Sequence, residues 1–373
     1  MKKIILSILV FLFLFLSGVS QTTVTTFSYG SPDDAIAIDS AGNIYASSFP
    51  LGEVYKYTPT GDGSDFITGL TNANGIAFDS NDNLYVCDFG GNEIGRYDIN
   101  GDFDTAFTIP GNPSGAIKAI DNDDIIYTRY TANTINRITP SGTKTEISSD
   151  PLLNGPVGLA YDENGNLYVG NYNNRKIYRV GTNGTLTYIA TVGSSSNLGF
   201  ITFGQGRLWG TVLGEHKIYT INHNAVNEVS LFAGSVAGGV DGPIDQATFN
   251  QPDGIKFNDT EDTLYITDFG SKNLRVINNV NLSVDDFIFN DFTMKLFPNP
   301  AKDSLDIKIS VSETGRYTLK AFDVNGKKLF EKEVISENSI ISENIDITQW
   351  TNGLYLIEFT DNRGFSMTKR LVK

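Results

Sequence analysis

The chain is poor in the side chains on which soft-metal and nucleophilic chemistry depend. Among 373 residues there is one cysteine, Cys87, and there are two histidines, His216 and His223. One cysteine closes no intrachain disulfide and forms no thiolate cluster for zinc. Two histidines fall short of the N/S ligands a zinc site takes and support no Ser-His-Asp order; a lone acid–base His216 stays open. Cys87, beside Val86, reads as a buried structural thiol. Basic residues are also scarce, 28 against 43 acidic ones, for a net charge of −15. Phosphate recognition needs surplus Lys and Arg, so the balance disfavours nucleic acid and anionic membrane as main partners. The chain has no P-loop, no dinucleotide fingerprint and no basic patch. Its long apolar run, Ile4–Leu16, is too short for a comfortable membrane span. With Lys2 and Lys3 before it and Ser17-Gly18-Val19-Ser20 after it, residues 1–20 read as a secretory signal peptide. No cysteine at the junction offers a lipid anchor, and no transmembrane segment is expected in the mature chain.

What is plentiful is glycine, phenylalanine and tyrosine, 37, 24 and 17 of them, arranged in a repeat. The stretch 74–97, NGIAFDSNDNLYVCDFGGNEIGRY, reads as three short strands, Gly75–Phe78, Leu84–Cys87 and Glu93–Tyr97, joined by polar turns. The aromatic after its second strand returns as Phe49, Phe89, Tyr130, Tyr172, a Leu213 replacement and Phe269, at intervals of 40, 41, 42, 41 and 56. Recurrence near forty residues with four strands per unit predicts an all-β chain whose first part is a six-bladed β-propeller over 21–279. Thr22–Tyr29 alternates like a strand, and blade six lacks an outer strand, so Thr22–Tyr29 is expected to complete blade six and close the ring. Tyr45, Tyr85, Tyr127, Tyr168 and Tyr265 recur at blade spacing and are assigned to the core.

The long last interval holds an insertion, Phe232–Gln251, followed by Pro252-Asp253-Gly254-Ile255. Its Ala-Gly, Asp-Gly and Ala-Thr-Phe-Asn-Gln-Pro elements resemble the run between blades of NHL-repeat propellers. Residues 280–294 are polar and acidic and read as a linker. Residues 295–373 alternate strands and turns, with Asn325-Gly326 marking a hairpin, which predicts a small β-sandwich. LFPNP at 296–300, DVNGK at 323–327, GLYLIEF at 353–359 and the basic end at 369–373 closely resemble the C-terminal sorting domain of type IX secretion substrates in Bacteroidetes. That resemblance implies export by the type IX machinery acting on 295–373, then attachment at the outer-membrane surface or release.

In a blade the first strand starts, and the second ends, at the same pole, so both positions are expected to surround one channel mouth. Second strands end on Ser48, Asp88, Arg129, Asn171, Val212 and Asp268. First strands are preceded by Asp34, Asn74, Val157, Leu198 and Asp253, with a one-residue indel shifting the third blade near Ile117. The ligand-binding candidates are therefore Asp34, Asn74, Asp88, Arg129, Asn171, Asp253 and Asp268, with Arg129 placed to pair with Asp88 or to grip an anion. Carboxylates and amides without thiolates or imidazoles are hard ligands, so Asn74, Asp88, Asp253 and Asp268 are the metal candidates and Ca²⁺ the cofactor they point to. Asn74-Gly75 and Asp253-Gly254 also resemble the gluconolactonase/senescence-marker family of six-bladed calcium-dependent hydrolases. That resemblance implies a cation polarising a lactone carbonyl; Asp34 stands where the family's glutamate ligand would be. Propeller lyases that use zinc and several histidines are poorly matched. The expectation is a monomeric exported binding propeller offering its mouth to a peptide, glycan or protein, with a Ca²⁺-dependent lactonase as the alternative.

Overall fold

Each repeat is built around an aspartate-organised turn. Asp79 Oδ1 accepts hydrogen bonds from the backbone N–H of Asn81 and Asn83, and Oδ2 from Asn83 Nδ2, at 2.8–2.9 Å. Asp39 and Asp162 repeat this arrangement with Asn43 and Asn166. A side chain that satisfies successive N–H groups fixes the tight connection that sends the second strand back along the first. The recurrent Asp-x-x-x-Asn of the sequence is this turn.

The computed structural model describes residues 22–280, 292–311, 315–324, 326–336, 340–361 and 366–373. The expected signal peptide and most of the expected linker lie outside the described residues. Blades I to V are four-stranded antiparallel sheets in sequence order. Their inner strands are Ile36–Ile38, Ala73–Phe78, Pro113–Lys118, Pro156–Tyr161 and Leu198–Gly204. Blade VI takes Pro252–Phe257, Thr263–Asp268 and Asn273–Asn278, then Thr23–Phe27 from the other end of the ring, paired from Thr23↔Asn278 to Phe27↔Leu274. The insertion adds a fifth strand there, Gly242–Pro243, against Thr23 and Val24. Closure thus joins the two ends of the propeller by main-chain bonds, and the insertion covers the edge that closure would leave open.

In four of the six blades neighbouring inner strands approach too closely for a side chain at one position, held by Gly75, Gly115, Gly158 and Gly254. A Cβ at Gly75 would stand 1.9 Å from the Ser114 carbonyl oxygen, and one at Gly254 2.0 Å from that of Asp34. This is the physical reason for the Gly after Asn74 and Asp253. Hydroxyls of the second strands lock the same seams: Ser47 Oγ donates to Asn74 O at 2.8 Å, Thr211 Oγ1 to Asp253 O at 2.6 Å and Thr267 Oγ1 to Asp34 O at 2.5 Å. Cys87 occupies the equivalent place in blade II, fully buried, with Sγ 3.9 Å from Gly115 O. The recurrent tyrosines are buried as expected; Tyr45 packs edge-on against Phe66 and Phe78, both at 4.8 Å.

The C-terminal part is a sandwich of a three-stranded sheet, Phe292–Phe297, Ser304–Val311 and Ile340–Asp346, and a four-stranded one, Lys328–Ser336, Gly315–Asp323, Leu354–Asp361 and Ser366–Val372. Leu305, Ile307 and Ile309 of one sheet share a core with Leu319, Ile357 and Phe359 of the other. Its first strand begins at Phe292, inside the expected linker, because Phe292 already pairs with Val311.

Candidate functional site

The two rings of positions read from the sequence lie at one pole, but only the ring before the inner strands lines the channel cavity. In the register of the inner hairpins, Ile76↔Val86, Leu159↔Val169, Ile201↔Gly210 and Ile255↔Ile266 are equivalent. Counting back from them, the position before the inner-strand glycine is Asp34, Asn74, Ser114, Val157, Gly199 and Asp253. Leu198 is therefore one place out of phase and lies fully buried, while Phe200 occupies the glycine position of blade V. Ser114 resolves the third blade.

Asp34, Asn74, Val157, Phe200 and Asp253 line a cavity of about 270 Å³ together with Phe49, Phe89, Tyr130, Tyr172 and Phe269. These last five are the aromatics that set the repeat. They stand side by side around the mouth, with ring centroids 5.4 Å apart for Phe49–Phe89, 5.8 Å for Phe89–Tyr130 and 6.1 Å for Tyr130–Tyr172. The sequence reading used them as phase markers and missed them as a surface; their period, one aromatic per blade at a loop entering the mouth, was the available signal.

Asp88, Arg129, Asn171 and Asp268 do not line the cavity. A second strand lies one inter-strand spacing, about 4.8 Å, farther from the axis, so its terminal side chain meets the adjoining loop. Asp88 accepts from the N–H groups of Asn72, Thr71 and Gly91 at 2.8, 2.9 and 3.1 Å. Asn171 Nδ2 donates to Leu152 O at 2.8 Å, and Arg129 Nε to Pro110 O at 2.7 Å; the expected Arg129–Asp88 pair is not among the ion pairs of the described residues. Asp268 Oδ2 meets Arg275 Nη1 at 3.0 Å, with both side chains fully buried. Arg275 in turn binds Thr248 O, Val240 O and Asp241 Oδ1, which ties the insertion to blade VI.

At the mouth, Asp34, Asn74 and Asp253 are 4, 8 and 7% exposed, and Asn74 Oδ1 and Asp253 Oδ1 are buried without a hydrogen-bond partner. Burial, then the charges of Asp253 and Asp33, pushes the Asp34 carboxyl well above the usual range. Burial and Asp33 push Asp253 up to about 8, against a smaller opposing effect of Lys272. Asp33, which the sequence reading passed over, is held by Phe49 N–H at 2.8 Å and by Lys272 Nζ at 2.5 Å. Asp34, Asn74 and Asp253 are hard oxygen donors whose chemistry fits Ca²⁺; Asp88, held by loop N–H groups, and Asp268, paired with Arg275 but keeping Oδ1 buried without a partner, lie outside their cavity.

The opposite end of the channel opens a cavity of about 290 Å³ with mostly apolar walls, where Lys118 and Lys256 supply the charge. Asp162, Glu163 and His223 approach one another at that pole. Asp162, however, is engaged in its turn and by Tyr168 OH, and His223 is packed edge-on between Tyr168 and Phe203. His216 Nδ1 accepts from Gln251 N–H at 3.0 Å, and neither histidine lines the mouth cavity.

Comparison with known proteins agrees with this architecture. Residues 19–238 match the virginiamycin B lyase family. The chain belongs to the virginiamycin B lyase family. Residues 295–373 match the secretion system C-terminal sorting domain, so this family member is handled by type IX secretion and is secreted or attached at the cell surface. No helix among the described residues is long and apolar enough to cross a membrane. Among solved structures, a catalytically inactive histidine-to-alanine variant of virginiamycin B lyase from Staphylococcus aureus with quinupristin is 23% identical (TM-score 0.51), covering 68% of this chain and 82% of that one. A gluconolactonase from Xanthomonas campestris is 16% identical (TM-score 0.54), covering 69% and 89%. An auxiliary nutrient binding protein from Bacteroides thetaiotaomicron is 16% identical (TM-score 0.57), covering 69% and 76%. At these identities the likeness is one of fold, which accounts for the expected kinship with gluconolactonase-type propellers. No curated protein is significantly similar in sequence.

Proposed function

We propose that this virginiamycin B lyase family member is an exported binding propeller that holds its ligand in the channel mouth. One observation carries the reading: an aromatic collar and three buried oxygen-bearing side chains converge on a single small cavity. Rings supply contact area at low entropic cost, and a few polar groups fix orientation, the division of labour of a recognition site. The lyase relative was inactivated by losing a histidine; here both histidines lie outside the cavity, so lyase chemistry is not assigned. The test is binding of the purified full chain to peptide and glycan arrays beside Phe89→Ala and Tyr172→Ala. Collar variants should lose the signal; undiminished binding by both would remove the mouth as the site.

A second reading is a Ca²⁺-dependent lactone hydrolase, favoured by the unpartnered oxygens of Asn74 and Asp253. Asp34, Asn74 and Asp253 would hold the cation, which when bound polarises a carbonyl. Calcium-dependent hydrolysis of a sugar lactone, lost in Asp34→Asn and Asp253→Asn, is its expected signature. Its absence in the wild type at saturating calcium would discard it.

A further inference from the structure

The polar wall of the mouth is acceptor-rich. Asn74 and Asp253 each keep a buried oxygen with no donor, and Asp34 and Asp253 are two carboxylates in one small cavity. A buried acceptor left unmade costs free energy, and like charges side by side cost more. A ligand suited to this wall brings donors and positive charge. The protein already shows the arrangement in one sector: Lys272 Nζ sits 3.9 Å from the Phe269 ring centroid while bonding Asp33 Oδ2 at 2.5 Å. An ammonium over an aromatic face and against a carboxylate combines ring-quadrupole attraction with a charge-assisted hydrogen bond. The remaining sectors, Phe49, Phe89, Tyr130 and Tyr172 with Asp34 and Asp253, have the same ingredients and no ammonium of the protein's own among their lining residues.

We propose that the mouth captures an organic ammonium group, seated on the Phe49–Phe89–Tyr130–Tyr172 collar and hydrogen-bonded to the Asp34–Asp253 carboxyls. This rests on the mouth being the binding site and names the ligand class it takes. A bare divalent cation would satisfy the oxygens and leave the collar unused, because a strongly hydrated hard ion gains little from ring faces. A sugar would use the rings but supply no positive charge to a wall of buried acceptors. An alkylammonium uses both, and about 270 Å³ suits a side-chain-sized group. The group's source is either a small free amine or a lysine side chain on a peptide.

The test is calorimetric titration of the full chain, in chelator, with tetramethylammonium and butylammonium, beside the neutral tert-butanol and n-butanol. The ammonium of each pair should bind about tenfold or more tightly than the alcohol. Asp253→Asn, which is isosteric and removes the charge, and Phe89→Leu, which replaces the ring by a smaller aliphatic group, should each lose about tenfold for the ammonium and little for the alcohol. An N-acetylated, C-amidated Gly-Lys-Gly peptide binding more tightly than butylammonium assigns the group to a protein side chain; the reverse assigns a free amine. Alcohols binding as well as their ammonium partners, in a manner sensitive to Phe89, would overturn the ammonium assignment and leave a binding mouth. In a separate titration without chelator, calcium binding that is lost in Asp253→Asn, with no response to either ammonium, would overturn the ammonium assignment in favour of a cation site. Circular dichroism of the variants confirms folding before titration.

Discussion

Asp253 makes a sharp prediction about stability and pH. Its carboxyl is raised from the ordinary 3.8 to about 8 by burial and by Asp33. Between those values the folded chain holds a proton that the unfolded chain has released. Stability from this group is therefore present at low pH and drains as pH climbs toward 8, at up to about 1.4 kcal/mol per pH unit for one proton. From pH 5 to pH 7 this amounts to at most about 3 kcal/mol, and water in the mouth screens part of it, leaving about 1–3 kcal/mol. For a propeller of this size that is on the order of 5 °C in Tm. Asp253→Asn removes the titration and relieves the charge on Asp34, so its stability should be flatter across this window and its advantage over the wild type should grow with pH. Asp33, Lys272 and Tyr172 feel the Asp253 charge and respond to its loss in the same direction as Asp34 or outside this pH window, and Cys87, shifted by burial, Asp88 and Asp34, is common to both proteins. The assay is thermal unfolding by circular dichroism from pH 5 to pH 8, in chelator and without amine buffers. Parallel profiles for wild type and variant, or a wild type that gains on the variant as pH rises, would refute the placement of a buried carboxyl without a compensating partner at the mouth.

Three further outcomes follow from single contacts. Arg275→Ala leaves Asp268 charged and buried and frees the insertion, so chemical denaturation should show a loss of about 3–5 kcal/mol and limited proteolysis should cut first within 232–251. Gly75→Ala, which sets a methyl against the Ser114 carbonyl, should cost about 2–3 kcal/mol in the same denaturation assay, whereas Gly206→Ala, with open space around it, should cost only the strain of its positive φ. Glu215 is pushed up by burial but held down to about 2 by Tyr219 OH and the N–H groups of Ser194 and Ser195. Its contribution is present above the ordinary glutamate range and lost as pH falls toward 2, so Glu215→Gln should flatten the acid limb of the pH–stability curve.

The blade count, ring closure by the N-terminal strand and the sandwich at 295–373 were legible because strand alternation and turn chemistry are local and repeated six times. Asp39, Asp79 and Asp162 organise their turns with partners four residues away, and period alone exposes such a pattern. The site was only half legible. Asp34, Asn74 and Asp253 line the channel cavity, whereas Asp88 and Asp268, the same residue types at the same pole, brace loops and a buried arginine. Nothing in the residue before an aromatic says which neighbouring loop will reach it.

The sequence by itself determined the architecture and the export route, since each depends on periodicity and on segments readable in isolation. Only the tertiary structure decided which acids face the channel, that Phe200 and not Leu198 enters it, and that the phase-marking aromatics form its wall. Those outcomes depend on radial distance from an axis that exists only once six sheets have closed around it. A spacing of one strand separates a carboxylate open to a ligand from one already consumed by its own fold.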